Sequence, residues 1–599
     1  MIKNIKKFYK QSLIIITIIG LSLSLFGCNN QKDNEIRNNQ ADENVIKTFN
    51  ELLDKQFVYD LENDPYGRYV MIENPDNYHI DTTKTEVRLI NPNHMDISLE
   101  EFKKDNEYLY QALELDYDKL DSRHQDYYDS IDFILDINEE LTDDKFDYYE
   151  QLFTRNNNPT NTLAQTLFDF NLRDEESVKF LIDLFNSTDE YTDACIEYAR
   201  EQLNRGLLMM DADFLLDYNE SVISEDKEAM LEGIFNNIDE LGLDGSYKTE
   251  LLNLANTVFN DNLLKINDFI KEAKASGKIH NGTYADFEYG QEYVALLLKN
   301  YTGEDINPEE YLEYLASQID KYLTKLSVIL NTNTTLLDEL VKNGDRIDAN
   351  FKSYQEILEF ANSKMQEDFP LIGDINYVIK DINQAVIGEA NVMAYYWVSP
   401  LDNTRSEQMR VNPKYADLNS LSTYTTVTHE GLPGHMYQRN YIRQNCDSNY
   451  MLAFGDVNKS MQEGYANYVG YYAMDYLDFK LSDIYVYNEM IFNLIMLIAD
   501  FSINYSGQDE ALINELFTQL GFGLDGEYLS YLYETLKNDP LMFVPYYYGL
   551  ARIYDFRDEA INELGNKFSD YDFHKALLDG FNMPFEVVEK HIDNYIESK

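Results

Sequence analysis

Two histidines and two glutamates in the last third of the chain carry the residue types of a metal-dependent hydrolytic site. The stretch THEGLPGHMYQ, residues 428–438, opens with His429 and Glu430 as the zinc-binding pattern His-Glu-x-x-His does. Pro433, however, stands four residues after His429, and the next histidine is His435. On a regular helix, residues four apart share a face and residues six apart diverge. The intervening Gly431-Leu432-Pro433-Gly434 changes that geometry, because Pro433 lacks the amide that would bond the His429 carbonyl and Gly434 tolerates unusual backbone. If these residues bulge out as a two-residue insertion, His435 returns to the face of His429; otherwise the pair belongs to an ordinary turn. A catalytic zinc centre needs a third protein ligand and an open position. The best candidate is Glu463 in NKSMQEGYANYVGYYAMDY, where Met461, Tyr465, Tyr468 and Tyr472 recur at helical spacing. Glu463 falls beside that apolar stripe, where an unpaired carboxylate is costly and a metal removes the cost. Without the two histidines the same glutamate reads as a partly exposed helix acid.

The elements that must hold these residues are predominantly helical. The chain has 26 glycines and 12 prolines in 599 residues, where average usage gives roughly 42 and 30. Few breakers over such a length imply long helices. In QEYVALLLKNYTGEDINPEEYLEYLASQIDKYLTKLSVIL, Tyr293, Leu296, Leu297 and Tyr301 form one apolar stripe, and Tyr311, Leu312, Leu315, Ile319 and Tyr322 form a second after Pro308. STYTTVTHE is rich in β-branched residues, which favour strands, but the spacing of Leu418, Leu421, Thr425 and Thr428 predicts a helix. Breakers cluster between about 370 and 415, where Val378 and Ile379 or Tyr395 to Val398 supply short extended segments and a lobe boundary or cleft wall falls near 400. No strand–helix alternation, phosphate-binding glycine loop or fixed-period repeat is present. The length allows two helical lobes or one large multilayer domain.

The amino end reads as an export signal: Lys3, Lys6, Lys7 and Lys10 precede an apolar run from Leu13 to Phe26. The run ends in Leu25-Phe26-Gly27-Cys28, which resembles the lipobox of bacterial lipoproteins, with Phe26 where that pattern carries a small residue. This implies a signal peptide over 1–27, lipid on Cys28 and an extracytoplasmic, membrane-anchored location. The polar stretch from Cys28 to Asn44 cannot bury a core and reads as a disordered tether over 28–45. Only Cys195 and Cys446 follow Cys28, so no disulfide framework is expected. The 49 basic against 107 acidic residues give a net charge of -58, which argues against nucleic acid or an anionic membrane surface as partner and for a solvated, self-repelling surface.

HEGLPGHMYQ followed by QEGYANYVGYYA resembles the bacterial DUF885 family, whose members carry His-Glu-x-x-Pro-Gly-His and a later Glu-Gly-Trp-Ala variant and are grouped with gluzincin-type zinc metallopeptidases. FEYGQEYVALLLKNYTGEDINPEEYLE, YYYGLARIYDFRDEAINELG and FHKALLDGFNMPFEVVEKHI are similar to further family segments in the same order. The resemblance implies one Zn2+ per chain on His429, His435 and Glu463, Glu430 as the general base, and Tyr546, from the Tyr-x-x-Gly ending at Gly549, as the donor to the oxyanion. Tyr547 and Tyr548 are neighbours that could be mistaken for it. Met436, Tyr465 and Met542 depart from the family's usual residues without touching the implied ligands.

The implied protein is a mainly α metallopeptidase with a deep cleft, acting on short peptides. Residues 46–400 form a helical cleft wall, and 401–599 form a helical metal-binding catalytic region. A non-catalytic peptide-binding lipoprotein with a degenerate peptidase fold is the alternative, and a metal-stabilised structural protein is a third reading. Arg557 could clamp a substrate carboxylate, although pairing of Arg552 or Arg557 with a nearby acid is the plainer expectation. His574 and His591 read as packing or surface residues, and His79, His94, His124 and His280 have no partner spacing.

Overall fold

In this computed structural model the described residues are 41–92, 97–332, 345–387, 392–415 and 417–599, with isolated positions between 333 and 344. The signal peptide, Cys28, most of the expected tether and His94 lie outside them. The chain is mainly α-helical, with one three-stranded sheet among the described residues.

Helix α1 (Glu43–Asn63) starts where the Asp42 side chain caps the Asn44 amide, and it buries Phe49, Leu52, Leu53, Phe57 and Leu61 along one stripe. Asp64 then caps α2 (Pro65–Met71), with Pro65 in its first turn. The second apolar stripe expected after Pro308 is α3 (Pro308–Thr332), burying Tyr311, Leu315, Ile319 and Tyr322.

The breaker-rich stretch supplies the strands β1 (Tyr377–Asp381), β2 (Ala394–Trp397) and β3 (Glu407–Val411) in the order β1-β3-β2. β1 runs parallel to β3, and β2 antiparallel with Tyr396 opposite Met409, so β2 is an edge. Its free side faces α4 (Leu421–Glu430). α5 (His435–Asn445), α6 (Asn449–Phe454) and α7 (Lys459–Tyr472) follow. α8 (Ser482–Ser506) is apolar and long enough to span a bilayer, yet it is mostly buried in the body. α9 (Val544–Leu564) crosses α7.

One large core draws on side chains from Phe49 to Tyr595 and runs across residue 400, where the sheet lies. A smaller core gathers residues between Leu89 and Ala273 with Val386. Cys195 and Cys446 are free thiols, so burial rather than cross-linking holds the described body together.

Candidate metal centre

The threonine run of STYTTVTHE is accommodated in a helix, with hydroxyls satisfied by carbonyls of the preceding turn. Thr425 Oγ1 donates to Leu421 O at 3.1 Å and Thr428 Oγ1 to Tyr424 O at 2.9 Å. Ser420 caps the start through the Thr423 amide. The helix does not continue through a two-residue bulge. It stops at Glu430, and a separate helix begins at His435, because Pro433 and the closely packed Gly434 break the backbone. A Cβ on Gly434 would lie 1.7 Å from His429 O, so only glycine lets the turn fold back so tightly. Gly434 N–H donates to Thr428 O at 3.0 Å, and Tyr465 of α7 donates its hydroxyl to Pro433 O at 3.0 Å.

This turn brings the imidazoles of His429 and His435 to 4.7 Å between ring centres at an 87° angle. Glu463 reaches them from α7, its Oε2 lying 3.6 Å from His429 Nε2 and 3.3 Å from His435 Nε2. One ligand atom from each of the three lies within 4.8 Å of the others. Ligand arms of about 2.0–2.1 Å in a tetrahedron put donor atoms about 3.3 Å apart. Both contacts to Glu463 are close to that edge, and two imidazoles with one carboxylate suit a divalent transition ion. The donor set therefore fits a metal.

The charges within the cluster are coupled. Burial works against a charged His435, but the hydrogen bond and negative charge of Glu463 outweigh it and push its pKa up to about 9. Burial likewise opposes the Glu463 carboxylate, and the two histidines overcome it and hold its pKa near about 2.

Glu430 is held from the sheet. Its Oε2 accepts the Tyr396 amide of β2 at 2.8 Å, while Oε1 stands 3.8 Å from His429 Nε2. Asn412 N–H donates to Met393 O, so odd positions of β2 face β3, whereas Ala394, Tyr396 and Val398 turn their backbone groups toward the cleft. A cavity of about 560 Å³ opens there, lined by His429, Glu430, His435, Glu463, Tyr546 and the cleft side of β2.

Tyr546 is placed by the α7–α9 crossing. A Cβ on Gly464 would meet Gly549 backbone at 2.4 Å, and one on Gly549 would meet Ser460 O at 1.9 Å. Two glycines thus let the helices touch backbone to backbone, which sets Tyr546, one turn before Gly549, beside Glu463. Asn467 Nδ2 donates to Tyr546 O at 3.1 Å across the crossing. Burial, then the charges of Glu463 and Glu430, push the Tyr546 phenol well above its usual range, so it remains a hydroxyl donor. Tyr547 is absent from the cavity lining, and Tyr548 is buried against Glu304.

Other residues singled out in the sequence have structural partners. Arg552 binds Glu304, and Arg557 binds Asp570 and the Tyr468 hydroxyl, so Arg557 is no carboxylate clamp. Buried His574 lies between Asp368 O and Tyr468, His591 pairs with Asp126, and His124 contacts Asp121 and Asn50. His280 lies 3.5 Å from Asp286, and His79 ends a short 3-10 turn.

A polar chain along one wall was missed in the sequence. Gln438 donates to Asn582, Asn582 to Asp456, and Arg439 Nη1 lies 3.1 Å from Asp456. All four residues line the cavity. Gln438 and Arg439 stand three and four residues after His435, a spacing that puts them on its helix face and could have marked them.

The fold and this cluster define a class: a large, mainly α-helical protein with two histidines and a glutamate gathered in a cleft beside a sheet edge. Residues 84–592 match the DUF885 family, described as bacterial proteins of unknown function. The match spans most of the chain, which therefore belongs to that family. The crystal structure of a candidate lipoprotein from Colwellia psychrerythraea is similar with a TM-score of 0.74 and 14% identity, covering 93% of this chain and 100% of its own. A candidate lipoprotein of unknown function from Shewanella oneidensis gives a TM-score of 0.56 at 14% identity, covering 91% of this chain and 99% of its own. At such identity the likeness is one of fold. No curated protein matches the chain.

Proposed function

We propose that this DUF885 member is a zinc-dependent peptidase that hydrolyses short peptides and is held outside the membrane by lipid on Cys28. The observation that carries the reading is the meeting of His429, His435 and Glu463, with Glu430 oriented beside them, in an open cavity. His429, His435 and Glu463 would hold the ion. When bound, it supplies Lewis acidity, lowering the pKa of water to about 7 and polarising a carbonyl.

The chain's own residues account for the rest. Glu430, with one oxygen fixed by the Tyr396 amide, accepts the proton of the attacking water and passes it to the departing amine. Tyr546 donates a hydrogen bond to the oxygen that gains negative charge. The cleft side of β2 offers the backbone groups of Ala394 and Val398 and the Tyr396 carbonyl to an extended peptide, which can add to the sheet as a further strand. The lipoprotein reading draws on the Leu25-Phe26-Gly27-Cys28 stretch and agrees with the two structural neighbours described as candidate lipoproteins.

The test is Glu430→Gln, which preserves shape and removes the base. It should keep its metal and lower kcat/KM for peptides by about 10²–10⁴-fold. Full turnover in this variant would rule out the proposed base.

A further inference from the structure

The cavity lining carries apolar as well as polar side chains. Around His429, Glu430, His435, Glu463 and Tyr546 it is polar. Past the C-terminal end of β2, Val398 and Leu401 line the cavity together with Val70 and Met71 of α2 and Ala453 of α6, and Ser399, Arg439 and Asp456 also belong to the lining. Leu401 N–H donates to Met71 O at 2.8 Å, which fastens α2 to the segment following the strand. Val398 stays 45% exposed in this recess.

The charged groups near these apolar side chains each have at least one partner, although the buried Nε of Arg439 and of Arg443 donates to none. Arg439 is paired with Asp456, Arg443 with Glu407, and Asp402 accepts the amides of Glu73 and Asn74. A charged side chain seated against these five apolar residues loses water, whereas an apolar one removes its own surface and that of the five from water. Val398 follows Tyr396, the residue that holds Glu430, by two positions, about 7 Å along a strand. The recess is therefore within one or two substrate residues of the groups that act on the peptide bond.

Resting on the peptidase reading, we infer that this recess is the side-chain subsite that selects peptides carrying a leucine- to phenylalanine-sized apolar residue next to the bond cut. Val70, Met71 and Leu401 are its specificity-determining residues. They lie on α2 and on the segment after β2, apart from the three residues of the metal cluster.

The experiment pairs a peptide set varied at one position (Leu, Phe, Gly, Asp, Lys) with the zinc-loaded protein, its Met71→Asp and Met71→Arg variants, and Glu430→Gln for binding. Trp397, the single tryptophan of the chain, lies on β2 between two cavity-lining residues, and its fluorescence reports peptide binding to Glu430→Gln without turnover. Wild type should favour Leu and Phe over Gly, Asp and Lys by at least about tenfold in kcat/KM, with the same order in binding. Met71→Asp should shift the preference toward Lys, and Met71→Arg toward Asp, a gain that misfolding cannot produce. A flat wild-type profile in cleavage and binding would overturn the subsite, and that test stands even if a variant fails to fold. Cleavage without side-chain preference leaves the peptidase reading intact and removes the subsite. Apolar-selective binding without cleavage of any peptide by wild type removes the peptidase reading and keeps the subsite.

Discussion

At the scale of single residues, the site depends on charges that need one another. His435, buried and facing Glu463, holds its proton up to about pH 9, and a metal can bind its Nε2 only by displacing that proton. Because the folded pKa is raised above the ordinary histidine value, the stability contributed by the ion pair with Glu463 is fully present below about pH 6.5 and is lost as pH rises through about 9. Metal affinity should therefore climb roughly tenfold per pH unit between 7 and 9 and then level off. Competition titrations with a chelator across that range would reveal it, and a pH-independent affinity would contradict the charge coupling. Tyr546 remains a hydroxyl donor throughout this range. Tyr546→Phe should lower kcat more than it raises KM, by about 10²–10³-fold if its hydrogen bond forms mainly in the transition state. An unchanged kcat would remove it from the mechanism.

At the scale of elements, the site depends on two features of backbone packing. The break between α4 and α5 aims two histidines at one point, and the glycine crossing of α7 with α9 brings Glu463 and Tyr546 together. Gly549→Ala would drive a Cβ to within 1.9 Å of Ser460 O, a backbone atom that cannot turn away. The helices must part, at a cost of at least about 2 kcal/mol. Chemical denaturation would measure it, and a loss below about 0.5 kcal/mol would show that the crossing is looser than described. The helices themselves were legible: scarce breakers and apolar spacing predicted α3, and the stripe from Leu421 to Thr428 outweighed the β-branched threonines. The break was legible as an interruption, through Pro433 and Gly434, but not in kind. Whether a chain bulges or stops depends on what packs against it, here Tyr465 on Pro433 O. The tyrosine of YYYG that faces the cavity was settled by a crossing between Gly464 and Gly549, 85 residues apart, which local periodicity does not report.

At the scale of the whole molecule, the core stabilises the body with no disulfide among the described residues, in a chain whose formal net charge is -58. The cleft is assembled from distant sequence. Val70 and Met71 of α2 line the same cavity as residues more than 300 positions later, and an apolar pair in a short helix gives no sign of such a destination. Hence the three candidate ligand residues and the helical character of the segments that carry them could be read from the chain, whereas the far wall of the cavity could not. The central claim is that His429, His435 and Glu463 form one metal centre. It is tested most directly by measuring the metal content of purified soluble protein beginning after Cys28, beside His435→Ala at equal concentration. The account predicts about one zinc per chain in the first and a loss of most of it in the second. Protein that stays metal-free when zinc is supplied, or a variant that keeps its zinc, would contradict it.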